Sequence, residues 1–388
     1  MRSKFLNGTL FVSAMMLALS AGSAEAAKFT VVHSFVGGSN DGAGPLGGVA
    51  PAKGKGFYVA TDGGGSSSRG TLTLIRKDGT SQILHTFTGG SDGQNADGTP
   101  FQWLDGNLYG TTQFGGSAGC GTEYIYSPRG GSYRQLVAFG CGTEGAFPFA
   151  GLADTGLGYM LGTGYNGGPY DQGTLVYYDS DGHGGASCYF SGTDGANPFG
   201  GVVQTGNESV TTAVNGGAFN YGTVTAFNNS DCETTVFHSF AGGSDGANPY
   251  ATLLSYNGKL YGTTMHGGTG GNLGTVFVIN PDGSGYHVLY SFKGICCGTD
   301  GSFPRSGLTL NTKDGMLYGT TINGGSSSDL GTVFRINPNN GKENIVHAFT
   351  GSDGAHPYGP LYISNGTIYG TTSAGGASSL GVVFKLKA

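Results

Sequence analysis

The stretch Leu260-Tyr261-Gly262-Thr263-Thr264, followed by Gly267-Gly268, Gly274-Thr275-Val276-Phe277 and Ser291-Phe292, decides the fold, because the same phrase returns along the chain. Its closing aromatic recurs as Phe35, Phe87, Phe139, Phe190, Phe240, Phe292 and Phe349, at intervals of 52, 52, 51, 50, 52 and 57 residues. A period near 50 marks a repeat architecture in which each unit completes its neighbours. Within one unit, Pro249 to Ser255 reads as a short apolar strand and Asn257-Gly258 as a hairpin turn. Leu260 to Thr264 reads as a second strand, and a Gly-rich loop leads to a third over Thr275 to Ile279. Asn280-Pro281-Asp282-Gly283 turns into a fourth strand ending at Phe292. A link of the form Asp245-Gly246-Ala247-Asn248-Pro249 joins consecutive units.

This pattern predicts an all-β chain: a seven-bladed β-propeller with four antiparallel strands per blade. Phe29 to Phe35 matches a fourth strand, and Gly381 to Leu386 matches a third. The N-terminal strand therefore completes the C-terminal blade, closing the ring and removing two unpaired edges. An open β-solenoid is the competing architecture, but coils of parallel strands would not carry Asn-Gly hairpins.

Composition agrees. Gly supplies 79 of 388 residues and charged residues only 11%, yet 23 Phe and 21 Tyr placed in phase argue for a packed β structure rather than disorder. A net charge of -6 without a basic stripe excludes nucleic acid as the expected partner. Arg2 and Lys4, the apolar run Leu10 to Leu19 and Ala24-Glu25-Ala26 read as a secretory signal peptide over residues 1–26, leaving residues 27–388 as the propeller. No later segment has 18 apolar residues in a row, so no membrane span is expected. The expected product is a secreted or periplasmic monomer. Six Cys suit an oxidising compartment. Cys120 begins a third strand and Cys141 ends the fourth strand of the same blade, so antiparallel pairing predicts a Cys120–Cys141 disulfide. The pairing of Cys188, Cys232, Cys296 and Cys297 stays open; a vicinal Cys296–Cys297 bridge would leave Cys188 and Cys232 to each other.

Alternating strand direction places the Gly-Gly loops and the Asp-Gly-x-x-Pro links on one face, around the channel mouth where such scaffolds hold ligands. A carboxylate recurs in every link: Asp41, Asp97 with Asp92 nearby, Glu144, Asp194, Asp245, Asp300 and Asp353. Sevenfold recurrence favours a backbone-turning role. The alternative is cation binding, with calcium at Asp194, Asp245, Asp300 or Asp353; otherwise no cofactor is implied.

Departures from the repeat are the better functional candidates. His266 stands in a Gly-Gly loop where other blades carry Asn, and His356 stands in a link where others carry Asn or Phe. Either histidine could transfer protons near neutral pH. Arg305 follows Pro304, and Tyr165 follows the degraded phrase of the third blade. These four are the catalytic candidates, with Phe114, Glu123, Tyr170, Asp171 and Tyr221 as ligand contacts. An arginine among tyrosines suits an acidic sugar, because rings stack on sugar faces and guanidinium forks onto carboxylate. The single Trp, Trp103, excludes a lectin with one Trp per blade. No G-x-S-x-G, H-E-x-x-H or P-loop pattern is present.

The phrase L-Y-G-T-T, G-G, G-T-V-F, F, D-G-x-x-P resembles the GloVer tandem-repeat family of exported bacterial proteins, over essentially all of residues 27–388. The match is strong in the units ending at Phe240, Phe292 and Phe349 and weakest where Val210-Thr211-Thr212 replaces the phrase. The resemblance implies a propeller and export, and no particular activity. Many members carry a C-terminal anchoring signal; none is expected here, where Ala388 directly follows a strand. Together these readings predict an exported propeller that binds a polysaccharide or other glycan on the Gly-Gly face. The alternatives are a polysaccharide lyase or glycoside hydrolase on the same face, or a protein-interaction scaffold.

Overall fold

The computed structural model describes residues 28–156, 158–179, 181, 183–294 and 300–387. The expected signal peptide and the Cys296-Cys297 pair lie outside these residues. Among the described residues seven antiparallel sheets of four or five strands form, one per repeat, beside two small two-stranded pairs. The fifth is typical, with strands Leu254–Tyr256, Lys259–Thr264, Thr275–Ile279 and His287–Ser291 paired in sequence order. Phe29–Ser34 pairs antiparallel with Val382–Lys387, completing the seventh blade from the chain's other end as the pattern predicted.

Each part of the repeated phrase has a mechanical job. The closing Phe is buried in every blade, with at most 1% of its surface exposed. It packs between blades: Phe240 of the fourth blade meets Phe277 of the fifth at 5.3 Å between ring centroids. The strand glycine makes room for that ring, since a Cβ on Gly262 would stand 2.4 Å from Phe277. The second Thr ties the middle strands together, as Thr264 and Thr275 hydroxyls do at 2.7 Å. The first Thr reaches the next blade: Thr263 donates to Ser306 O (3.1 Å), Thr111 to Ala150 O (3.1 Å), Thr163 to Gly200 O (3.1 Å) and Thr371 to Gly47 O (2.6 Å).

The link carboxylates fold back onto the strand they follow. Asp245 accepts from the Ala241 amide (2.7 Å) and lies 3.1 Å from His238 Nε2. Asp41, Asp92 and Asp353 make the same pair of contacts with His33, His85 and His347. In the sixth link Tyr290 and the Lys293 amide serve Asp300, and in the fourth Ser191 serves Asp194. The histidines also stack on the next blade, His238 on Tyr286 at 3.5 Å and His85 on Tyr133 at 3.7 Å. Burial lowers the pKa of His238, His85 and His347 against the pull of their aspartates. At His33 burial is overcome by Asp41 and the Gly79 carbonyl, and the net shift is upward. The second-blade contacts are made by Asp92, which corrects the assignment of Asp97 to this set.

Among the described residues two disulfides are present, Cys120–Cys141 within the second blade, as predicted, and Cys188–Cys232 across the third and fourth. Among the described residues no helix is long and apolar enough to cross a membrane.

A candidate binding chamber on the propeller axis

Every link pairs with its own Gly-Gly loop, as Ala247 does with His266 and Gly301 with Gly324, so both elements share one face. The chain then turns inward. The residue five places after each link carboxylate reaches the axis: Leu46, Asp97, Phe149 and Phe199 from the first four blades, and Tyr250, Arg305 and Tyr358 from the last three. These side chains and the short segments that follow them line a chamber of about 330 Å³. That lies at the lower end of ligand pockets, which run ~300–1,000 Å³. The interblade bonds from the first Thr of the phrase end on the carbonyl next to a ring residue, so the scaffold positions the chamber wall directly.

Arginine and aspartate occupy two of the seven ring positions. The Arg305 guanidinium lies 4.5 Å from the Phe199 ring, 5.1 Å from Tyr250 and 5.0 Å from Tyr358. Cation–π contact holds it in place, and no carboxylate lies within ion-pair distance of it among the described residues. Asp97 is the other. Burial, then the nearby Asp62 carboxyl, push its pKa up to about 8, against a weaker pull from Arg305. Asp62 sits in the first blade's Gly-Gly loop, fixed by Asn95 Nδ2 at 2.7 Å.

Of the catalytic candidates, the structure brings Arg305 and Tyr165 together. Tyr165 backs the chamber wall, edge-on to Phe149 at 5.2 Å and to Phe199 at 6.4 Å, and burial raises its hydroxyl pKa. The two histidines do not line the chamber. His356 Nδ1 donates to Ile322 O of the preceding blade at 3.0 Å. Asn197 and Asn248 do the same to Tyr165 O (3.1 Å) and Val214 O (2.9 Å), so His356 is an interblade tie in an Asn slot. His266 packs against Phe303 at 5.7 Å, and burial lowers its pKa. It lines a separate rim pocket of about 330 Å³ with Tyr221, Asn248 and Asn272.

The remaining candidates separate on burial and bonding. Glu123 is fully buried in Thr122–Ser127, at the register held by Leu72, Val224 and Val276 in other blades. It therefore belongs to the core between blades rather than to the ligand face; burial drives its pKa well up, and both oxygens lack partners. Asp171 accepts from the Gly167 amide at 2.9 Å, the loop clip that Asn220, Asn272 and Asp329 make elsewhere. Phe114 packs on Phe147 at 5.5 Å, and Tyr170 stands exposed at the rim. The metal candidates Asp194, Asp245, Asp300 and Asp353 hold the hydrogen bonds described above, and no cluster of three metal-ligating side chains occurs among the described residues. The ring residues themselves escaped the sequence reading, apart from Arg305 and from Asp97, which was read as a link carboxylate. Their signal was the phase of the link, hidden in the second blade where Ala96 replaces the proline.

Comparison with solved structures finds propellers at low identity. The extracellular domain of the putative one-component system BT4673 from B. thetaiotaomicron aligns at TM-score 0.56 and 13% identity, over 93% of this chain and 38% of that one. A putative 6-phosphogluconolactonase from Bacteroides uniformis aligns at TM-score 0.50 and 17% identity, over 84% of this chain and 87% of that one. This chain spans well under half the BT4673 chain that it matches. At such identities the likeness shows the fold alone. No curated protein matches the sequence. The Gloeobacter/Verrucomicrobia repeat matches residues 18–225 and 208–388. With the same phrase building all seven blades, the chain belongs to the Gloeobacter/Verrucomicrobia repeat family.

Proposed function

We propose that the protein is an exported propeller that captures an acidic glycan, or the acidic end of one, in the axial chamber. The observation that carries this reading is Arg305: a guanidinium held on three aromatic rings in the wall of a small chamber, with no carboxylate within ion-pair distance among the described residues. A sugar carboxylate would complete its bonding, while Phe149, Tyr250 and Tyr358 offer faces and hydroxyls to the sugar ring. The two disulfides, the absence of a membrane-crossing helix among the described residues and an extracellular-domain neighbour are compatible with a secreted or periplasmic site of action.

Binding is favoured over cleavage by what faces Arg305. A lyase needs a free base near neutral pKa beside the neutralised carboxylate; His266 and His356 lie elsewhere, Tyr165 is shifted the wrong way, and Asp97, raised to about 8, carries its proton at neutral pH. A hydrolase needs two carboxyls ~5–9 Å apart across the scissile bond. Asp62 and Asp97 stand side by side instead. The test is calorimetric titration with tri-galacturonate and its neutral galactose counterpart, with ultraviolet absorbance followed for unsaturated product. Binding of the acidic trimer alone, without product, is expected. Equal binding of both trimers, or steady product formation, would overturn the reading.

A further inference from the structure

Asp97 is the ring residue whose chemistry the scaffold does not demand, since other blades put Leu, Phe, Tyr or Arg there. Its Oδ1 is shielded from solvent and meets no donor. The Asp62 carboxyl lies within hydrogen-bonding reach of the Asp97 carboxyl, and Asp62 cannot swing away because Asn95 Nδ2 holds both its carboxylate (2.7 Å) and its carbonyl (3.1 Å). Two ionised carboxylates in this position would repel each other and leave the shielded oxygen unbonded; a single proton between them removes both penalties. Arg305 faces the pair from the sixth blade, too weakly placed to hold both carboxylates ionised. The other titratable groups at the ring and its wall are the phenols Tyr165, Tyr250 and Tyr358.

We propose that Asp62 and Asp97 share one proton as an acid pair in the chamber wall, and that capture of an acidic ligand requires this proton to stay in place. Loss of the proton would put a second negative charge in a small chamber that must admit a carboxylate, so release would follow a rise in pH. The ligand half of this inference rests on the glycan reading; the acid pair does not. The elevated pKa of Asp97 agrees with the geometry.

Two measurements test the halves separately. The first is a carbon NMR titration of protein labelled at aspartate carboxyls, comparing wild type with Asp97→Asn and Asp62→Asn. One carboxyl of the wild type should stay protonated near pH 7, be missing from Asp97→Asn and titrate at lower pH in Asp62→Asn. An aspartate spectrum fully ionised by about pH 6, a high-titrating signal that survives Asp97→Asn, or one that Asp62→Asn leaves unshifted, would overturn the pair. The second is tri-galacturonate affinity as a function of pH. Wild-type affinity should fall by about tenfold per pH unit above about pH 8, the slope of one linked proton, while Asp97→Asn stays level. Parallel profiles would overturn the coupling. If no binding is seen at any pH, the glycan reading fails, and the carbon spectrum still decides the pair. Asp62→Asn guards against a fold defect peculiar to position 97.

Discussion

Two columns of residues run through the seven links, five places apart, and they have opposite characters. The first column is carboxylate in every link, and six of its seven members are bound to the strand they follow or to the residues just after it. The exception is Glu144, beside Cys141 of the Cys120–Cys141 bridge. The second column holds Leu, Asp, three aromatic residues between Phe149 and Tyr250, Arg and Tyr, and it lines the axis. The first is uniform because each blade needs the same turn; the second is varied because one chamber needs each position once. Uniformity marks the scaffold, and variation at a convergent position marks the site.

The strongest way to break this contrast is to exchange the effects of the two columns. Arg305→Ala should lower affinity for an acidic trimer by about 10–100-fold, the worth of a charge-assisted hydrogen bond of ~1.5–3 kcal/mol, and leave the thermal midpoint nearly unmoved. Asp245→Ala should do the reverse: it strands His238 and the Ala241 amide, costing about 1–3 kcal/mol of stability, with affinity changed less than about twofold. Calorimetry and thermal denaturation on both variants decide the matter.

Glu123 offers a gain in place of a loss. Glu123→Leu puts an apolar group where Leu72 and Val276 stand, relieving a buried carboxyl with no partner, and should raise stability by about 1–3 kcal/mol by denaturant titration. The pH dependence of stability sharpens the second column. Asp97 binds a proton more tightly when folded, with a pKa of about 8 against an ordinary 3.8. The folded state therefore holds a proton that the unfolded state releases, and stability falls as pH rises from about 4 to about 8. Asp97→Asn should flatten that part of the profile. Glu343, raised to about 7 chiefly by burial, contributes a slope of the same sign that the substitution leaves in place. The smallest effect is expected at the rim, where His266→Ala should change trimer affinity less than about twofold.

The fold was legible because the phrase recurs in seven units, in full in some and degraded in others such as the third and fourth, with its closing Phe in every one. Closure by Phe29–Ser34, the shared face of loops and links, and the Cys120–Cys141 bridge all followed from strand direction alone. The site was only half legible. His266 and His356 broke the repeat conspicuously, yet their slots join neighbouring blades, and a slot that accepts Asn, Phe or His is a packing position. Asp97 looked regular because Ala96 hides the phase of its link, so it was counted with Asp92's column. Glu123 was placed among the ligand contacts because it departs from the repeat, but the strand alternation places it with valines and leucines. Convergence of single residues from seven blades is a property of the closed ring, and a linear reading shows it only when all seven links are set in register.

The central claim is that ligand meets Arg305 on the axis. Phenylglyoxal modification of arginines, mapped by peptide mass spectrometry with and without saturating tri-galacturonate, tests it most directly. Arg305 should be protected in proportion to occupancy, while Arg69 and Arg129, away from the chamber lining, react at unchanged rates. Bound trimer with Arg305 reacting as fast as in the free protein would contradict the account.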